Sequence, residues 1–405
     1  MRHPTVFRPV LLFVGVFLFF GFLFAVPYLW PQPYTEAATV EKGITSFKEL
    51  SDRFAEIART KGGLYAYEVL RRADLPPDTD FHLLGHAVGD ILYTQKGTPG
   101  IADCTQEFRN ACSHTMVIGA LQEFGAGDET LKLIDDACKA APGGPGAYTM
   151  CYHGLGHGVF AYFGYDLQKT DAFCKKMGTP AYGDQQYTEC VGGAIMELMG
   201  GGGHDHELWV VARQKYLTAD PLAPCTNPIL SLGAKGYCYI YLTPRLLELA
   251  GAQLARPDPS TFPKAFSFCD AIPAKDQKLR DSCFGGFGKE FVPLAGSRDI
   301  RAVDSFSDQQ YSLAASWCAL SGADDGKRSC IGQALESVFW GGENDPAASF
   351  RFCAVAPADL QDACYKKLGN NIQRYLLGAV RERWCSELSV DYRDVCKLGA
   401  PPLYE

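Results

Sequence analysis

Several signatures are missing from this 405-residue sequence, and each absence removes a class of chemistry. Although it holds sixteen cysteines, no two form a C-x-x-C pair, so the usual mark of a structural zinc site or a thioredoxin-like redox centre is missing. C-x-x-C-H, the haem-attachment motif, is absent as well. There is no basic cluster, and a formal net charge of −8 opposes a nucleic-acid partner, because phosphate binding needs concentrated Lys and Arg. The sequence has no G-x-S-x-G nucleophile elbow, no G-x-x-x-x-G-K-[ST] phosphate loop and no strand-linked G-x-G-x-x-G. HLLGH (82–86) and HGLGH (153–157) lack the internal glutamate of an H-E-x-x-H metalloprotease. Methionine is scarce, at six residues, which argues against a soft Cu(I) carrier. The absence of any N-x-S/T sequon leans towards a bacterial envelope protein.

What is present begins with an address. Val10 to Trp30 is uncharged and mostly aliphatic or phenylalanine, and as a helix it would span about 30 Å, the hydrocarbon thickness of a bilayer. Arg2 and Arg8 precede it, and Glu36 and Glu41 come before any later Lys or Arg, so the positive-inside rule puts the N-terminus in the cytoplasm. The main chain is then extracytoplasmic, periplasmic or extracellular. A cleaved signal peptide is the rival reading; the run is long for one and lacks a clean A-x-A site. No cysteine follows the run before Cys104, which excludes a lipoprotein. The expected organisation is a cytoplasmic N-terminus (1–9), a transmembrane anchor (10–30), a solvated linker (31–45), a histidine-rich half (46–215) and a second half (216–405). Ser46 followed by Glu49 predicts a capping box, with Phe47, Leu50, Phe54 and Ile57 at helical spacing behind it.

Beyond Cys104 the cysteines set the rhythm. In order they form eight couples: Cys104 with Cys112, Cys138 with Cys151, Cys174 with Cys190, Cys225 with Cys238, Cys269 with Cys283, Cys318 with Cys330, Cys353 with Cys364, and Cys385 with Cys396. Outside a membrane these are expected as disulfides. The second member usually opens a similar phrase (CYHGLGHG, CVGGAIME, CFGGFGKE, CIGQALES), and second cysteines recur every 32 to 48 residues, the range of helix-pair repeats. HLLGHAV (82–88) aligns with HGLGHGV (153–159) and puts Asp80 where Cys151 stands, giving a ninth, cysteine-free unit. The expected fold class is all-α. A transmembrane helix is followed by a curved array of helical hairpins, solenoid or α/α-toroid-like, each unit stapled by its own disulfide and each inner helix starting at the second cysteine. Glycines at those starts predict the close approach of a neighbouring backbone or of a ligand.

Seven of the eight histidines fall between His82 and His206. Two H-x-x-x-H pairs, His82 with His86 and His153 with His157, each present two imidazoles on one helix face, and His114 stands two after Cys112 as His153 does after Cys151. His204 and His206 follow a run of four glycines, so the HDHE segment (204–207) is a candidate lid. Glu197 and Glu207 are the candidate catalytic groups, with Asp90 and Glu123 as further carboxylates. All seven histidines are candidate ligands for a transition metal ion; imidazole suits zinc, copper and iron, and spacing does not choose among them. The glycine–histidine helix starts loosely resemble those of α/α-toroid enzymes such as lanthionine cyclases; that family's zinc-ligand order is not reproduced and nothing is carried over from it. Phe284, Phe287, Phe339 and Trp340 are expected in the core. The functional expectation is an extracytoplasmic protein with a histidine-rich metal site; whether it is an enzyme is left open, and if it is one, hydrolytic and oxidative chemistry both fit imidazole ligation. The alternative is a non-catalytic envelope scaffold that binds a protein or peptide on its concave face.

Overall fold

The computed structural model describes residues 33–398 except 77–78, 106, 178–184, 201–205, 255 and 342–345; its side-chain description also leaves out 34, 145, 206, 302 and 341. The expected anchor, 10–30, lies outside the described residues, and no helix among those described is long and apolar enough to cross a membrane. The described chain is all-α, with one isolated bridge between Gln253 and Arg256 and no strand. It divides into two compact units between Leu75 and Pro76.

The first unit holds α1 (Pro33–Ala37), α2 (Phe47–Lys61) and α3 (Gly63–Arg72). Ser46 caps α2 by accepting from the Glu49 N–H, while the Glu49 carboxylate reaches back to Thr45 N at 2.8 Å instead of to Ser46. Leu50, Phe54 and Ile57 are buried; Phe47, expected beside them, is exposed. Gly62, at φ +101°, ends α2, and Gly63 already opens α3. The stretch expected as a solvated linker is partly packed: Ala37 and Val40 are buried, and the Glu36 carboxylate accepts from Tyr65 Oη at 3.0 Å.

The second unit opens with α4 (Phe81–Lys96), capped by the Asp80 carboxylate on Leu83 N, and continues with α5 (Glu107–Phe124). Outer and inner helices then alternate: α6 (Asp128–Ala140) and α7 (Gly144–Tyr162), α8 (Leu167–Cys174) and α9 (Gln185–Gly200), α10 (His206–Tyr216) and α11 (Leu232–Tyr241). After α12 (Thr243–Ala250) come α13 (Phe262–Ser267) and α14 (Gln277–Ala295), α15 (Asp308–Cys318) and α16 (Asp324–Gly341), α17 (Pro346–Val355) and α18 (Ala358–Tyr375), α19 (Gly378–Glu387) and α20 (Val390–Leu398). All sixteen cysteines are paired, in the eight couples expected, across 8 to 16 residues. Such loops each stabilise by about 2–3 kcal/mol, mainly by restricting the unfolded chain. Disulfides of this number belong to an oxidising, extracytoplasmic compartment.

Each second cysteine sits inside its helix, which starts five to seven residues upstream; the expectation that the cysteine opens the helix is corrected accordingly. The phrase glycines are therefore mid-helix, and they are where neighbouring backbones meet. A Cβ on Gly156 would lie 1.9 Å from Cys190 O, one on Gly193 1.9 Å from His153 O, and one on Gly288 1.9 Å from Cys330 O. This close approach binds α7 to α9 and α14 to α16, and it offsets the roughly 1 kcal/mol that glycine costs relative to alanine inside a helix. Contacts run in chain order, α4–α5–α7–α9–α11–α14–α16–α18–α20, and α16 and α18 also reach α5 and α7. The packing is continuous across the expected division at 215/216, since α9 packs on α11; that boundary separates histidine-bearing helices from histidine-free ones. Between inner and outer helices lies an aromatic core in which Phe266 and Phe287 rings are 4.3 Å apart and Phe262 and Phe291 rings 4.8 Å.

Candidate metal centre

Five of the expected histidines converge. The α4 register puts His82 and His86 one turn apart on the face turned to α5, which supplies His114, and α7 adds His153 and His157. Ring centroids are 4.6 Å apart for His82–His86, 5.3 Å for His82–His114, 5.6 Å for His114–His157 and 5.2 Å for His153–His157. All five are buried. His82, His86 and His114 bring one donor atom each within 4.8 Å of one another, and His86 Nε2 is 3.2 Å from His82 Nε2.

Local structure fixes the rings. His82 Nδ1–H donates to Phe108 O at 2.7 Å, which leaves Nε2 with its lone pair directed at the cluster. That carbonyl is aimed by an unusual turn: Phe108, Arg109 and Asn110 all have positive φ, 54°, 55° and 63°. Non-glycine residues held there store strain, and the Cys104–Cys112 disulfide brackets the segment. A Cβ on Gly154 would meet His114 Cδ2 at 2.4 Å, so the missing side chain is what admits the His114 ring. Neither nitrogen of His114 has a hydrogen-bond partner among the described residues, although the residue is 1% exposed. A buried imidazole in that state wants a ligand. His157 Nδ1 lies 3.1 Å from Glu197 Oε2, and His153 Nε2 lies 3.4 Å from Met196 Sδ.

Burial sets the protonation. It is the main cause lowering His82 to about 4 and His153 to about 3, helped by neighbouring imidazoles; for the same reasons His114 is held well below 6.5. The imidazoles of these three are neutral near pH 7, the form that binds metal. Burial raises Glu189 to about 8. Its Oε2 is 3.5 Å from His153 Nδ1, an ion-pair distance, but both groups are neutral near pH 7 and the contact is not aligned as a hydrogen bond.

The other expected site residues lie elsewhere. Glu207 is exposed on α10, Asp90 is exposed on α4, and Glu123 is exposed and accepts from Tyr93 Oη at 2.6 Å. Glu123, nine residues after His114, stands on the opposite face of α5, whereas Asp90 continues the His82–His86 stripe of α4 one turn further on but is exposed. His204 is outside the described residues, as is the side chain of His206. Trp209 Nε1 donates to Glu197 O at 2.9 Å and Arg213 to Leu198 O at 3.1 Å, pinning α10 to the end of α9.

His82, His114 and His153 open onto a cavity of about 530 Å³ that also takes in Arg109, Glu189, Tyr241, Lys289, Glu336 and Arg374, none singled out as an active-site group from the sequence. A signal for several of them was present. Counting from the second cysteine, the sixth residue onward is Met196, Lys289, Glu336 and Asn370 in four units and the residue before it is Met150, Glu189 and Tyr237 in three, and all seven line the cavity; Ile118, His157 and Pro244, at the same sixth place, do not. Residues of α5, α7, α9, α11, α14, α16 and α18 share this wall, and in several of these helices the register marks the face that does so. Trp340, expected in the core, is on that wall too, while Phe284, Phe287 and Phe339 are buried as expected. No protein-family model, no curated protein and no solved structure matches the chain.

Proposed function

We propose that this is an extracytoplasmic protein, anchored through 10–30, that carries a transition metal ion in the buried histidine centre and uses it on a small molecule admitted to the adjoining cavity. We read the sequential inner-helix contacts, with α16 and α18 reaching back to α5 and α7, as a curved α-hairpin array around that cavity. The observation that carries the metal reading is the set of three donor atoms within 4.8 Å, one of them on His114, whose ring nitrogens are buried without partners. The donor chemistry fits: neutral imidazoles, a tautomer fixed on His82 by Phe108 O, and no thiolate, since every cysteine is paired. Zinc, copper or iron bound there would supply Lewis-acid chemistry, and the latter two redox chemistry as well. Among the chain's own groups, Glu197 orients His157, and Glu189, protonated at neutral pH beside His153, is placed to deliver a proton into the cavity. The scaffold alternative, a protein or peptide bound on a concave face, is disfavoured by where the polar groups converge: a cavity of about 530 Å³ is of small-molecule size.

Elemental analysis of the purified full-length chain tests this. About one tightly held transition metal per chain is expected, lost in the His82→Ala, His114→Ala double variant while its far-UV spectrum stays helical. Wild-type protein that is metal-free, and whose melting is unmoved by added zinc, cobalt(II) or copper(II) and by chelator, overturns it.

A further inference from the structure

The lining of the cavity carries more cations than carboxylates. Five cationic side chains line it, Arg109, Lys289, Arg301, Lys367 and Arg374, against three carboxylates, Glu107, Glu189 and Glu336, in a chain whose net charge is −8. Three of the cations are matched: Lys289 with Glu290 at 2.5 Å, Arg301 with Asp299 at 2.7 Å and Lys367 with Glu336 at 3.0 Å. Arg109 makes no ion pair or hydrogen bond among the described residues; it lines the cavity with His82, His114 and His153 and directly follows Phe108, whose carbonyl holds His82. On α18, Arg374 donates to Gln185 Oε1 but its buried Nε has no acceptor, and neither has Nδ2 of Asn371, which is 2% exposed. These unmet groups are donors. Donors left unpaired in a buried, cation-rich pocket call for a ligand made of acceptors.

We propose that the cavity binds a small organic anion, its carboxylate or phosphate held by Arg109 on the α5 side and by Arg374 and Asn371 on the α18 side, with the remainder of the molecule against the histidine centre. The inference rests on the reading of the cavity as the substrate site. It also gives the strained turn a purpose: three successive residues at positive φ carry Arg109 into the cavity while Phe108 O holds His82. A guanidinium fork matches carboxylate and phosphate oxygens in pairs, which a lysine would not do.

The test is calorimetric titration of the full-length chain in detergent with citrate and, separately, with inorganic phosphate, in zinc-loaded and chelator-treated protein. Saturable binding of at least one anion is expected, and whichever binds more tightly names the source, carboxylate or phosphate. Affinity should fall about tenfold or more in Arg109→Gln and in Arg374→Gln, with zinc content unchanged. Arg374 lies in regular helix, so that variant carries the test if Arg109→Gln disturbs the turn. Absence of saturable binding of either anion to wild type, or undiminished affinity in the folded arginine variants, overturns the proposal. If the chain retains no zinc yet binds an anion in an arginine-dependent way, the anion site stands and the metal reading falls.

Discussion

Glu189 and the buried histidines pull stability in opposite directions as pH changes. His82 and His153 fall from 6.5 to about 4 and 3 on folding, so the unfolded chain binds more protons below 6.5; their contribution is complete above that pH and is lost as pH falls towards those values. Glu189 rises from 4.5 to about 8, so its contribution is complete below 4.5 and is lost as pH rises through 8. Between 6.5 and 8 the carboxyl acts alone in this set. The metal-free wild type should therefore lose melting temperature across that interval relative to Glu189→Gln, and the two profiles should run parallel above about pH 9. Parallel profiles throughout would contradict the assignment of a protonated Glu189. At this scale the paired histidines were legible because four-residue spacing is a local property of a helix. Arg109 was not, because its placement depends on a left-handed turn that Phe-Arg-Asn does not announce. Glu207 drew attention by sitting beside histidines in sequence, but it belongs to an outer helix, where adjacency brings no shared face.

Among the helices, glycine decides which pairs touch. Gly193→Ala would drive a methyl into His153 O, and neither backbone can yield without shifting α7 against α9. A loss of about 2–3 kcal/mol in denaturant unfolding is expected. Gly332→Ala, whose Cβ would meet only Lys367 Cγ at 3.8 Å and Lys367 Cβ at 4.0 Å, should be neutral or stabilise by up to about 1 kcal/mol. Equal effects at the two positions would contradict the backbone-contact account. Gly154→Ala is the functional member of the series: its methyl would meet both the His114 ring and the His114 Cα at 2.7 Å, so metal affinity should fall together with stability. The sequence carried the closeness of these contacts but not their place along the helix. Helix starts at Gly144, Gln185 and Gln277 lie upstream of the phrase; Gly143 has no side chain to cap the first, and Asp276, a residue type that often caps, makes no side-chain cap bond at the last.

For the whole molecule, the covalent frame was the most legible feature, because couples separated by 8 to 16 residues must each join adjacent helices if every unit repeats the last. Thiol titration of the unfolded, unreduced chain should find essentially no free cysteine. Replacing Cys138 and Cys151 with serine should cost about 2–3 kcal/mol and loosen α7, lowering metal retention through His153 and His157. Unchanged stability would contradict the role given to the staples. What local pattern did not reveal is the return of α16 and α18 to α5 and α7, since those contacts join residues far apart in sequence and depend on how each helix pair is turned against the next. Residues of α5, α7, α9, α11, α14, α16 and α18 line one cavity, with His82, His114, His153, Arg109, Arg301 and Arg374 in its wall. The measurement that bears most directly on this arrangement is X-ray absorption at the metal edge of the loaded protein. The account predicts a nitrogen-rich shell with the outer-shell scattering of about three imidazoles and no thiolate sulfur near 2.3 Å; a shell without imidazole scattering would contradict it.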